Sequence, residues 1–131
     1  MIFKIDPSNG LAIYEQIVRQ VTFAVAGSSL IPGDLVPSVR ELSRELAVNP
    51  NTVARAYREL QVQQILEPVR GTGLEVTTAA PKRCRQDRIK LIRERLRSVL
   101  SEAQQSQLSE TEIRELVEGE LKKQSSKRKS R

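Results

Sequence analysis

The chain has 131 residues, 38% hydrophobic and only 3% aromatic, with 22 Lys and Arg against 16 Asp and Glu for a net charge of +6. That length carries one domain with an appendage rather than two full domains, and its modest aliphatic core leaves little room for a ligand pocket. Histidine is absent and Cys84 is the single cysteine, which excludes an intrachain disulfide and leaves ordinary zinc chemistry without ligands; the positive surplus points to a polyanionic partner.

The start, Met1 to Asp6, lacks the apolar h-region of a secretory signal. No apolar run is long enough to span a bilayer, so a cytoplasmic location is expected. Residues 1–5 read as an edge strand. Pro7-Ser8-Asn9-Gly10 is a turn, followed by a helix from about Leu11 to Ala26. Ile13, Tyr14, Ile17, Val18, Val21, Ala24 and Val25 mark its buried face by their helical spacing. Gly27-Ser28-Ser29 closes it, and Ile31-Pro32-Gly33-Asp34 forms a loop.

Two short helices follow, each announced by a cap. Ser38 with Glu41 makes an S-x-x-E capping box, in which hydroxyl and carboxylate each satisfy a backbone N–H. Asn49 is a favoured N-cap, and Pro50 suits the first helical position, where no N–H is missed. Ala47-Val48-Asn49 allows only a tight turn between them: the helix-turn-helix plan. Val39, Leu42 and Leu46 face inward from the first helix, and Val53, Ala56, Tyr57 and Leu60 from the second. Asn51, Arg55 and Arg58 fall at i, i+4 and i+7 on one outward stripe. The stripe joins an amide to two guanidinium groups with no carboxylate, which suits base edges and phosphates. Glu59 lies to its side.

Beyond this motif, Ile65 to Pro68 and Leu74 to Thr77 are β-prone runs around the tip Val69-Arg70-Gly71-Thr72-Gly73, the pattern of a hairpin. Glycines at 71 and 73 permit positive φ and close approach to a phosphate. With Arg70 at the tip, the hairpin reads as the wing of a winged helix-turn-helix.

PSVREL, NPNTVARAYREL and the RGTG tip, in order and at fixed separations, resemble the DNA-binding domain of GntR-family bacterial transcription regulators, most nearly the small YtrA-like subfamily. The resemblance covers roughly the first 78 residues. It implies that Arg40 reads a base in the major groove, that Ser38, Asn51, Thr52 and Arg55 recognise bases or phosphates, and that Arg70, Gly71 and Gly73 belong to a wing entering the minor groove. With Asn49, Arg58 and Thr72 added from the caps, stripe and tip, these are the candidate DNA-binding residues. Three positions depart from the family pattern. Pro50 stands where many members have a base-reading arginine, Gln63-Gln64 replaces a Glu-Gly pair at the helix end, and Glu75 replaces an aromatic in the last wing strand.

Thr77 to Pro81 reads as a linker, and a basic helix is expected from about Lys82 to Ala103. Ile89, Ile92, Leu96, Val99 and Ala103 recur at alternating three- and four-residue steps, the mark of a helix-packing seam. Ser109 and Glu112 form a second capping box, flanked by a Leu108/Ile113 hydrophobic staple. The helix it starts turns Ile113, Leu116, Val117 and Leu121 to one side. Two helices of this length cover their stripes better by pairing with a second chain, so a homodimer is expected. The resemblance likewise implies a helical dimerisation tail. Lys122, Lys123, Lys127, Arg128, Lys129 and Arg131 close the chain in a Ser/Lys/Arg tract whose composition predicts disorder over residues 125–131.

The expected organisation is therefore mainly α with a small β wing: a winged helix-turn-helix over residues 1–78, a helical dimerisation tail over 79–124 and a basic terminus. The expected activity is sequence-specific DNA binding by a dimeric repressor on a palindromic operator, without cofactor or metal. A small-molecule effector stays open, with no residue that announces one. A nonspecific architectural or RNA-binding protein is the rival reading, favoured by the charge but offering few exposed aromatics for base stacking. Catalysis lacks a base beside Cys84 and any phosphate-loop or paired-carboxylate motif.

Overall fold

Helix α1 (Ile13–Ala26) carries the largest share of the core: Ile17, Val18, Val21, Val25 and Ala26 are buried along one face. A computed structural model of the chain describes residues 3–129, with α1 followed by α2 (Val39–Leu46), α3 (Pro50–Val62), β1 (Leu66–Val69), β2 (Gly73–Val76), α4 (Ala80–Gln105) and α5 (Glu110–Lys129). The chain divides into two units, Met1–Lys90 and Leu91–Arg131.

In the first unit α1 and α2 both pack against α3. Leu42, Val53, Ala56, Leu60, Ile65 and Leu66 fill the space between them. α1 begins two residues later than its periodicity suggests, because Leu11 and Ala12 precede the first helical turn. Ile13 is correspondingly exposed rather than buried, and Tyr14 only packs partly against the core.

No strand forms over residues 3–6. Two glutamines one turn apart on α1 take the place of a pairing strand. The Gln20 amide accepts from the Lys4 N–H at 2.9 Å and donates to the Lys4 carbonyl, and the Gln16 amide makes the same two bonds to Asp6, at 2.9 and 3.0 Å. Phe3 is thereby held in the core. Met1 and Ile2, also expected in that strand, lie outside the described residues.

The wing is an antiparallel pair in which Leu66 faces Val76, Glu67 faces Glu75, Pro68 faces Leu74 and Val69 faces Gly73. The segment expected as a plain loop before α2 lies along the far edge of β2. Gly33 and Val36 donate to the carbonyls of Val76 and Leu74, Val76 donates to that of Asp34, and Leu35 bridges Glu75. Backbone bonds on both sides of Glu75 thus fix the strand without the aromatic that the family pattern places there.

The expected linker is absent as a separate piece. α4 starts at Ala80, and Ala80 and Cys84 are fully buried in the same core as α1 and α3. Apolar burial of small side chains on its first turns makes the beginning of the long helix part of the first unit. In the second unit α4 ends at Gln105, and α5 starts behind the Ser109/Glu112 box, whose two bonds measure 3.1 and 3.3 Å. α5 continues through Lys129, into the tract whose composition suggests disorder. Gln, Lys and Arg are good helix formers, and each added residue extends an existing ladder. Ser130 and Arg131 lie outside the described residues.

Candidate DNA-binding surface

The surface is built on α3, whose orientation three interactions fix. At its start the Asn49 side chain accepts from the Asn51 N–H at 2.8 Å, with Pro50 as first helical residue. On its inner face Val53, Ala56 and Leu60 are completely buried. At mid-length the buried Tyr57 hydroxyl donates to the Pro37 carbonyl at 2.7 Å, tying α3 to the residue before the α2 cap. Burial first, then the charges of Glu41 and Glu45, raise the Tyr57 pKa, so the phenol stays protonated and the donor is always present.

With that side locked inward, Asn51, Arg55 and Arg58 all emerge exposed, and Thr52 is half-buried beside them. The periodicity had assigned the same stripe. Among the described residues no carboxylate forms an ion pair with either arginine. Arg55 has a different neighbour: its guanidinium carbon sits 3.7 Å from the ring centroid of Tyr14 on α1. The sequence gives no sign of this contact, because 41 positions separate the two residues and Tyr14 sits at core spacing.

α2 presents the second group. Ser38 is its N-cap, its hydroxyl accepting from the Glu41 N–H at 3.0 Å while the Glu41 carboxylate reaches back to the Ser38 N–H at 3.4 Å. The serine is exposed, and Arg40 projects to solvent from the first turn. Glu41 is thereby occupied locally by the cap. The turn between the helices closes on Ala47, at φ +53°.

The third group is the wing tip. Arg70, Gly71, Thr72 and Gly73 are all exposed. Thr72 donates its N–H to the Val69 carbonyl at 3.0 Å, and Gly71 and Gly73 take φ of +78° and +121°. These are left-handed values that an L side chain resists, and a Cβ at either glycine would meet nothing within 4 Å. Backbone conformation, not space, accounts for both glycines.

Among the described residues there is no cluster of three or more metal-ligating side chains, and no helix is long and apolar enough to cross a membrane.

A helix-turn-helix with a basic outward stripe and a glycine-tipped wing can dock on duplex DNA, and the comparisons agree. Residues 13–76 match the family model for GntR, bacterial regulatory proteins. Over 102 residues the chain is 36% identical to the HTH-type transcriptional repressor YtrA of Bacillus subtilis, covering 78% of both. The chain belongs to the GntR family. Two solved relatives carry the same architecture. A GntR family transcriptional regulator from Listeria monocytogenes superposes with a TM-score of 0.67 at 34% identity, over 88% of this chain and 98% of that one. YtrA from Sulfolobus acidocaldarius, a GntR-family transcription factor, superposes with a TM-score of 0.57 at 32% identity, over 75% and 99%. This GntR protein is a DNA-binding transcriptional regulator with a winged helix-turn-helix fold.

Proposed function

We propose that this GntR-family regulator binds a palindromic operator as a homodimer and represses transcription by occupying it. One observation carries the reading: α3 has a fully buried inner face and an outer stripe, Asn51, Arg55 and Arg58, that is exposed and free of carboxylates. In this reading α3 enters the major groove with Asn51, Thr52 and Arg55 as principal readers and Arg58 on the backbone. Ser38, Arg40 and Asn49 face the same groove from the α2 and α3 N-termini, and Arg70, Gly71, Thr72 and Gly73 hold the wing against the minor groove or its phosphates.

Residues 1–78 carry DNA binding and 79–124 dimerisation. Support for the dimer comes from apolar surface in the second unit that this chain leaves uncovered: Ile92, Leu96, Val99, Leu116, Val117 and Leu121 are each 43–59% exposed. Between α4 and α5 runs an open groove of about 720 Å³ lined by Leu96, Leu100, Leu108, Ile113 and Val117. A second copy of the tail fits this apolar lining. The repressing role is supported by the Bacillus relative, which is a transcriptional repressor, and by the steric block that a dimer seated on an operator presents to polymerase.

Binding to an operator enriched by selection from random duplex DNA, and to a scrambled duplex, followed by fluorescence anisotropy, tests the contacts. Asn51→Ala and Arg55→Ala each weaken operator binding by about 1–3 kcal/mol and leave the scrambled duplex nearly unaffected. Equal losses on both duplexes would instead support the nonspecific architectural reading.

A further inference from the structure

We propose that Tyr14 is a positioning residue for DNA recognition: its ring is the platform that aims the Arg55 guanidinium at the duplex. The inference rests on the reading that Arg55 touches DNA, and it assigns a role on α1, outside the helix-turn-helix, that core spacing alone would not give.

Arg55 is exposed near the middle of α3, where a long side chain has many rotamers to lose on binding. Its guanidinium carbon lies 3.7 Å from the Tyr14 centroid, well inside the roughly 6 Å range of a cation–π contact. Stacking engages the flat face of the group only. All five N–H donors radiate in the guanidinium plane and stay available for a phosphate or a guanine edge. An ion pair with a carboxylate would consume those donors, whereas an aromatic face orients the group and leaves its hydrogen-bonding rim open.

The platform is itself fixed. Tyr14 stands in the first turn of α1, packs partly against the core, and its hydroxyl donates to the Glu15 carboxylate at 3.3 Å. α1 in turn is packed on α3 through Ile17, Val21 and Val25. Ring and guanidinium are therefore carried by two helices that share one core, and their separation does not depend on a flexible loop. Pre-ordering the arginine reduces the rotamer entropy lost when it docks.

A double-mutant cycle on the full chain tests this, using Tyr14→Leu, Tyr14→Phe and Arg55→Ala with the enriched operator and a scrambled duplex. Tyr14→Phe keeps the ring and binds like the parent, while Tyr14→Leu weakens operator binding about 2- to 5-fold, the range of an exposed cation–π contact. In the Arg55→Ala background Tyr14→Leu has no further effect. Additive losses would show Tyr14 acting independently of Arg55, and an unaltered affinity for Tyr14→Leu would also overturn the proposal. Full operator affinity in Arg55→Ala alone would sink the DNA contact itself, and the positioning role with it. Should Tyr14→Leu fail to fold by circular dichroism, the parent protein still decides. Its Arg55 side-chain proton resonances are ring-current shifted and move to ordinary positions if the stack is not formed in solution.

Discussion

At the scale of single residues, the position of the reading helix depends on the bond from the Tyr57 hydroxyl to the Pro37 carbonyl. Tyr57→Phe keeps the ring in the core and deletes only that bond, so stability falls by about 0.5–1.5 kcal/mol, measured as a lower urea midpoint with an unchanged slope. The Arg40 side chain instead projects to solvent. Arg40→Ala leaves the melting temperature within experimental error of the parent, yet costs about 1–3 kcal/mol of operator affinity and relaxes preference at one base. Unchanged discrimination between operator and scrambled duplex in a mobility-shift comparison would count against its role. Cys84 governs alkaline behaviour. Burial first, and then the nearby Asp87 charge, push its thiol from an ordinary 9.0 up to about 11, against a smaller opposing effect of Arg83. Its folded pKa is raised, so the associated stability is complete below pH 9 and is lost as pH climbs toward 11. Tyr57, also raised, adds to the loss at still higher pH. Chemical denaturation at pH 8 and pH 10.5 shows a drop in the parent that Cys84→Ala reduces.

At the scale of elements, beginnings were easier to read than ends. Helix starts are written in side-chain chemistry: Ser38 with Glu41, Asn49 before Pro50, and Ser109 with Glu112 form the caps their identities announce. Four helix ends instead close on non-glycine residues with left-handed φ of 53–67°, namely Ser28, Ala47, Gln64 and Gln107. At the end of α3, Gln64 donates to the Gln61 carbonyl and Ile65 to that of Leu60, both at 2.9 Å. This is the two-bond Schellman closure, with Ile65 and Leu60 buried as its hydrophobic contact. The missing glycine therefore leaves the motif intact and changes its energy. Gln64→Gly relieves the left-handed strain and raises stability by about 0.5–1 kcal/mol, seen as a higher thermal midpoint. A lower midpoint would show that the closure is unstrained. The wing has a comparable weakness, since Glu67 and Glu75 stand directly opposite on the face away from the core. Like charges so placed are unfavourable, and Glu67→Lys stabilises the hairpin by roughly 0.2–1 kcal/mol, with a higher thermal midpoint as the readout.

At the scale of the whole molecule, the winged module was largely legible because its cues are local. Capping pairs, apolar spacing along α1 to α3 and the glycines of the wing tip each act within a few residues. Long-range features were not legible. No short-range pattern announces that Gln16 and Gln20 replace a strand, that residues 33–36 line β2, that Ala80 and Cys84 complete the core, or that Tyr14 lies under Arg55. The basic end of α5, with Lys122, Lys123 and Lys127 exposed, adds a charge effect. A chain ending at Gln124 binds all duplexes more weakly at low salt and shows a shallower salt dependence, while its preference between sequences survives. The central claim is that two copies of the chain press the Asn51, Arg55 and Arg58 side of α3 into successive major grooves. Selection of bound sequences from random duplex DNA tests it most directly. The predicted product is an inverted repeat whose half-sites lie a whole number of helical turns apart, about 10 base pairs or a multiple, and which Arg55→Ala fails to enrich. Recovery of unenriched sequence, or of a motif that the Arg55→Ala protein selects equally well, would contradict it.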